Sequence, residues 1–105
     1  MPDIKLQSEY DDLDKYKNKH NGKIYYYKKN TFIQHNPYGP AVIHTSGYKV
    51  YYIENKCHRL DGPAVTYSDG EEQYYINSKK LSKEDFELHP ERLKFLGKEY
   101  LICLV

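Results

Sequence analysis

A period of 23 residues constrains this chain more than any single motif in it. Shifted by that period, His35 falls on His58, Gly39-Pro40-Ala41-Val42 on Gly62-Pro63-Ala64-Val65, and Gly47 on Gly70. Tyr51-Tyr52-Ile53 then fall on Tyr74-Tyr75-Ile76 and Lys56 on Lys79, making 10 identities in 23 positions. Unrelated segments of average composition would share roughly one or two. A weaker unit precedes these at an offset of 25, where Gly22, Tyr26, Tyr27 and Asn30 match Gly47, Tyr51, Tyr52 and Asn55. Repetition therefore organises residues 13–81, and each unit must bury its apolar side against its neighbours.

Each unit reads as strand, tight turn, strand. Asn21-Gly22, Ser46-Gly47 and Asp69-Gly70 suit two-residue hairpin loops, because glycine takes positive φ without steric cost. Gly39-Pro40 and Gly62-Pro63 open the following strands, where a missing N–H is tolerated. Loop length sets register, and register sets the faces. Two-residue loops pair Val42 with Tyr51 and Val65 with Tyr74. They predict a core face of Val42, Tyr51, Ile53, Val65, Tyr67, Tyr74 and Ile76. They predict an opposite face on which Tyr27, Tyr52 and Tyr75 stand beside Ala41 and Ala64, mixed with Thr66 and Gln73.

After Leu81 the pattern becomes helical. Ser82 is a suitable N-cap with acids behind it, and Pro90 can start a second segment after a break near His89. Phe86, Leu93, Leu96 and Tyr100 approximate one stripe that could cover the core face. The expected fold is thus mainly β: an open twisted antiparallel sheet of three repeated hairpins at 13–81, capped by a helical segment and tail at 82–105, all in one domain. The apolar run Leu101–Val105 needs burial against the sheet or in a homodimer, and an open sheet also has free edges.

Composition narrows function by exclusion. Lys and Arg number 16 against 15 Asp and Glu, so no strong net field draws nucleic acid or an acidic membrane. No stretch approaches the ~20 apolar residues of a membrane span, and the start lacks a secretory layout, so the chain is read as soluble and cytoplasmic, in the producing or a host cell. Cys57 and Cys103 form no CxxC pair and are read as free thiols. His20, His35, His44, Cys57 and His58 lack finger-like spacing, so no metal is expected. His58-Arg59-Leu60-Asp61 resembles a catalytic cluster, yet His35 repeats without either charged partner while the Gly-Pro-Ala that follows repeats intact. That is the behaviour of a structural corner. No phosphate loop, nucleophile elbow or paired-carboxylate scaffold is present, and neither enzyme activity nor a cofactor is expected.

The period, the turn glycines, the paired aromatics and the His-x-x-x-Gly-Pro-Ala corner resemble MORN-type repeats, in the variant found in small phage, bacterial and giant-virus proteins. Residues 58–76 match that variant well; residues 35–53 depart from it at Asn36 and Tyr38, where arginine and aspartate are usual. The resemblance covers 16–81. It implies consecutive hairpins acting as a scaffolding or interaction module, and a phage or viral setting in which the module modulates a host protein. The residues expected to bind a macromolecular protein partner are Tyr27, Tyr52 and Tyr75, with Lys49 and Arg59 at the rim. The alternative is a single-stranded nucleic acid or nucleotide stacked on the same tyrosines.

Overall fold

The computed structural model describes residues 3–97. Its strands are β1 (Asp3–Leu6), β2 (Leu13–Asn18), β3 (Ile24–Lys28), β4 (Val42–Ile43), β5 (Lys49–Val50), β6 (Tyr52–Ile53), β7 (Lys56–Cys57), β8 (Val65–Thr66), β9 (Glu72–Ile76) and β10 (Lys79–Leu81). Eight of them form one open antiparallel sheet in the order β1-β2-β3-β4-β5-β8-β9-β10, and β6 and β7 form a two-stranded ribbon beyond β5. Two short helices follow, α1 (Lys83–Glu87) and α2 (Pro90–Phe95). The expectation of a mainly β open sheet with a C-terminal helical segment is met. β1 extends it beyond the hairpins read from the repeat, pairing Ile4 with Lys17 and Leu6 with Lys15.

The sequence period reappears bond for bond. Ala41 N–H donates to the Val50 carbonyl and Ala64 N–H to Gln73, both at 2.9 Å; His44 N–H donates to Tyr48 and Tyr67 N–H to Glu71. Asn36 N–H donates to Tyr52 as Arg59 N–H does to Tyr75, and Asn55 N–H donates to Gln34 as Ser78 N–H does to Cys57. The units join through Tyr26 N–H to the Ala41 carbonyl and Tyr51 N–H to Ala64, each at 2.8 Å.

The turns differ from expectation, and the difference moves every side chain behind them. Val42 pairs with Val50 and Ile43 with Lys49, so the first of these hairpins closes through a three-residue loop, Thr45-Ser46-Gly47. Val65 pairs with Gln73 and Thr66 with Glu72, which leaves Ser68-Asp69-Gly70 as the equivalent loop. The N-terminal hairpin turns through four residues, Lys19 to Gly22, between Asn18 and Lys23. Gly47 and Gly70 sit at φ 103° and 91° and close the three-residue form, a type I turn followed by a positive-φ residue. One residue more in the loop shifts pairing by one and exchanges the faces. True two-residue turns occur elsewhere, at Glu54-Asn55 and Asn77-Ser78, where all four residues have positive φ in the type I′ manner.

The valine face therefore carries the tyrosines assigned above to the opposite side. Val42, Val50 and Val65 form a buried cluster, and Tyr25, Tyr48, Tyr52, Cys57 and Tyr75 pack onto it. The placement of Tyr52 and Tyr75 beside Ala41 and Ala64 is corrected: by strand alternation the alanines share the other face with Tyr26, Tyr51 and Tyr74. That other face buries Tyr26, Ala41, Ala64 and Ile76.

The helices cap the last hairpin on this second face. The Ser82 hydroxyl accepts the Asp85 N–H at 3.1 Å, and His89 caps α2 by accepting the Glu91 N–H at 3.2 Å, with Pro90 at the first helical position. Phe86 is buried with its ring 4.7 Å from that of Tyr74. Leu93 is buried, but Leu96 is exposed and does not share the stripe expected for it. Tyr100, Cys103 and the run Leu101–Val105 lie outside the described residues.

Candidate functional site

The corner at His58 is occupied by its own architecture. His58 Nδ1 accepts the Asn77 N–H at 3.0 Å, 19 residues along the chain, and His35 Nδ1 accepts the Glu54 N–H at the same distance and separation. Arg59 Nε donates to Asp61 at 2.7 Å and its NH1 to the Pro63 carbonyl at 3.2 Å. The guanidinium lies 4.1 Å from the Tyr51 ring centroid, with Gly62 against it so closely that a Cβ there would fall 2.9 Å from the guanidinium carbon. Asn36 replaces the arginine in the other corner and donates to the matching carbonyl, Pro40, at 3.0 Å. Its own oxygen accepts the Tyr38 N–H at 2.9 Å. Between the two corners runs an open groove of about 390 Å³, floored by Tyr51 and Ile53 and walled by Phe95 of α2.

On the valine face one cross-strand rung runs through six strands as Tyr16, Tyr25, Val42, Val50, Val65 and Gln73. Aromatic rings extend it on both sides. Tyr16, Tyr27 and Phe32 meet one another at 5.5 to 5.7 Å between centroids, and Tyr25 lies 6.4 Å from Tyr27. Tyr48 and Tyr67 meet at 6.0 Å, and the Lys23 ammonium sits 4.6 Å above the Tyr48 ring. Phe32, at the tip of the loop after β3, is 66% exposed. Both helices are on the other side of the sheet, where Phe86 touches Tyr74 and Phe95 lines the groove with Tyr51.

Burial is the first cause that lifts the phenols of Tyr27, Tyr48 and Tyr52 above the ordinary value, which keeps them protonated and neutral near pH 7. A neutral phenol can both donate and accept, so this surface offers flat apolar rings ringed by adaptable polar atoms.

Of the five residues expected to bind, Tyr27, Tyr52 and Tyr75 do share one face. Lys49 pairs with Ile43 and Thr66 and points to the other side, and Arg59 is held in its corner. The face also contains Tyr16, Tyr25, Phe32 and Tyr48, which sequence reasoning passed over, and Tyr67, which it places beside Val65. The signal for Tyr48 was the loop length: a three-residue reading of Thr45-Ser46-Gly47 puts Tyr48, Val50 and Tyr52 in phase with Val42, whereas Tyr25 follows from its alternation with Tyr27. Among the described residues no helix is long and apolar enough to cross a membrane. Comparison with protein-family models, with curated proteins and with solved structures finds no match to this chain.

Proposed function

We propose that this protein is a non-enzymatic interaction module whose valine-backed tyrosine face docks a macromolecular protein partner. The observation that carries the reading is the register: it gathers Tyr16, Tyr25, Tyr27, Tyr48, Tyr52, Tyr67 and Tyr75 on one face, with both helices placed on the other. Tyrosine gives large contact area for little lost side-chain entropy, and rings already fixed against valines lose less still on binding. Phe32 and Tyr67 supply the exposed anchors, and Lys23 the cation at the edge. The likeness of the repeats to MORN-type units agrees with a scaffolding role, and the phage or viral setting it implies makes a host protein the natural partner.

The test is capture of partners by tagged protein with and without nuclease, followed by affinities of the purified partner. Phe32→Ser with Tyr67→Ser should weaken binding about tenfold or more, while Lys17→Ser with Lys49→Ser on the other face should leave it unchanged. Capture of nuclease-sensitive material alone, with affinity falling steeply with salt, would replace this reading with single-stranded nucleic acid on the same rings.

A further inference from the structure

His35 and His58 each tie two repeat units together at once. The backbone N–H of His35 donates to Tyr26 of β3 at 3.2 Å and that of His58 to Tyr51, between β5 and β6, at 3.0 Å, anchoring each histidine to the unit before it. Each ring then reaches the next type I′ turn and accepts the N–H of its first residue, Glu54 or Asn77. Those turn residues have φ of 49° and 51°, a left-handed backbone region that asparagine adopts readily and glutamate does not, so at Glu54 the ring also holds a costly turn. The bond needs a lone pair on Nδ1, so it exists only for the neutral ring carrying its proton on Nε2.

We propose that His35 and His58 are acid-sensitive clasps, closed while the imidazoles are neutral and released when they take up a proton, so that both inter-unit junctions loosen together in mildly acidic surroundings. A proton on Nδ1 would set two N–H groups against each other at 3.0 Å, replacing attraction by repulsion at each junction. Release of the clasps is independent of what the tyrosine face binds.

The charged neighbours do not reverse this. Around His35, Lys28 and Glu54 neutralise one another through a 2.6 Å pair, and Asp12 adds a negative charge within range of the ring. Burial is the first cause lowering the His35 value, with Lys28 adding to it and Glu54 and Asp12 opposing. Around His58 burial again leads, opposed by Glu91 and aided by Lys56. Glu91 is engaged by the Asn77 amide at 3.1 Å, and Lys94 lines the same hollow, so α2 presents one charge of each sign. His89, which caps α2, accepts an N–H only two residues away and joins no units.

The experiment is an imidazole ¹⁵N titration of the intact protein from pH 8 to 5, with amide exchange followed at Glu54 and Asn77. The expected result is Nε2–H tautomers for both rings, midpoints below the ordinary 6.5, and protection at both amides falling by about tenfold or more as the rings protonate, relative to an unfolded chain at the same pH. The double variant His35→Asn/His58→Asn, which keeps an acceptor but cannot titrate, should retain that protection across the range. Nδ1–H tautomers, midpoints at or above 6.5, or protection indifferent to the titration would overturn the proposal, and the wild-type titration decides the matter even if the variant does not fold.

Discussion

Asn36 and Arg59, 23 residues apart and chemically unlike, make the same bond, each side chain donating to the carbonyl of the proline four residues on, at 3.0 and 3.2 Å. Both corners thus share a donor reaching inward to the proline carbonyl, while the charge, paired with Asp61, is particular to the second. Arg59→Ala should cost about 1.5–3 kcal/mol, combining a lost charge-assisted bond with lost stacking on Tyr51. Arg59→Asn should recover part of that loss. Urea unfolding of the three proteins checks the ranking, and equal stabilities for the Ala and Asn variants would contradict it.

Gly39 and Gly62 occupy matching positions but have different neighbours. A Cβ on Gly62 would meet the Arg59 guanidinium at 2.9 Å, whereas nothing lies within 4 Å of one on Gly39. Gly62→Ala should destabilise by about 1–3 kcal/mol, and Gly39→Ala should stay within about 0.5 kcal/mol of the parent. In an Arg59→Ala background most of the Gly62→Ala penalty should vanish, a coupling that a double-mutant cycle measures directly.

Cys57 packs half-buried against the valine cluster, and burial pushes its thiol up to about 11. In a Cys103→Ser protein, alkylation of Cys57 at pH 8 should run about a hundredfold slower than in the same chain unfolded, because the thiolate is scarcer. Equal rates would mean that the tyrosines do not shield the cluster.

Asp14 is 3% exposed and its Oδ2 accepts the Asn30 N–H at 2.8 Å, with Lys29 and Lys5 at 3.5 and 3.8 Å from Oδ1. That backbone bond, followed by the lysine charges, outweighs burial and lowers its value below the ordinary 3.8. The sign follows: the folded state holds fewer protons than the unfolded one, so the stabilisation is present above pH 3.8 and is lost as pH falls through the lower folded value. Urea midpoints between pH 6 and 2.5 should drop in that window for the wild type and less for Asp14→Asn.

The hairpin array, the turn glycines, the Ser82 cap and the restart at Pro90 were legible in the sequence because each rests on local chemistry. The faces were not. Ser46-Gly47 fits both a two-residue and a three-residue loop, and the choice between them depends on Val50 packing against Val42 and Val65, a contact made only once neighbouring units are in place. The turn at Glu54-Asn55 escaped notice because glutamate is a poor marker of positive φ. What tolerates it is the ring of His35, 19 residues earlier. Asn36 and Tyr38 looked like a decayed corner; in three dimensions the asparagine keeps the bond.

Because the bonds of one unit are the bonds of the next moved along by 23 residues, the length of the sheet is a quantised property. Joining His35 directly to Arg59 would recreate the His58–Arg59 step and hand the Ala64 carbonyl to Tyr26 in place of Tyr51. Whole units can therefore be removed or duplicated in phase, and smaller changes of length fall to the turns, as in the four-residue turn of the first hairpin. Such a surface can be lengthened or shortened in fixed steps without redesigning its ends.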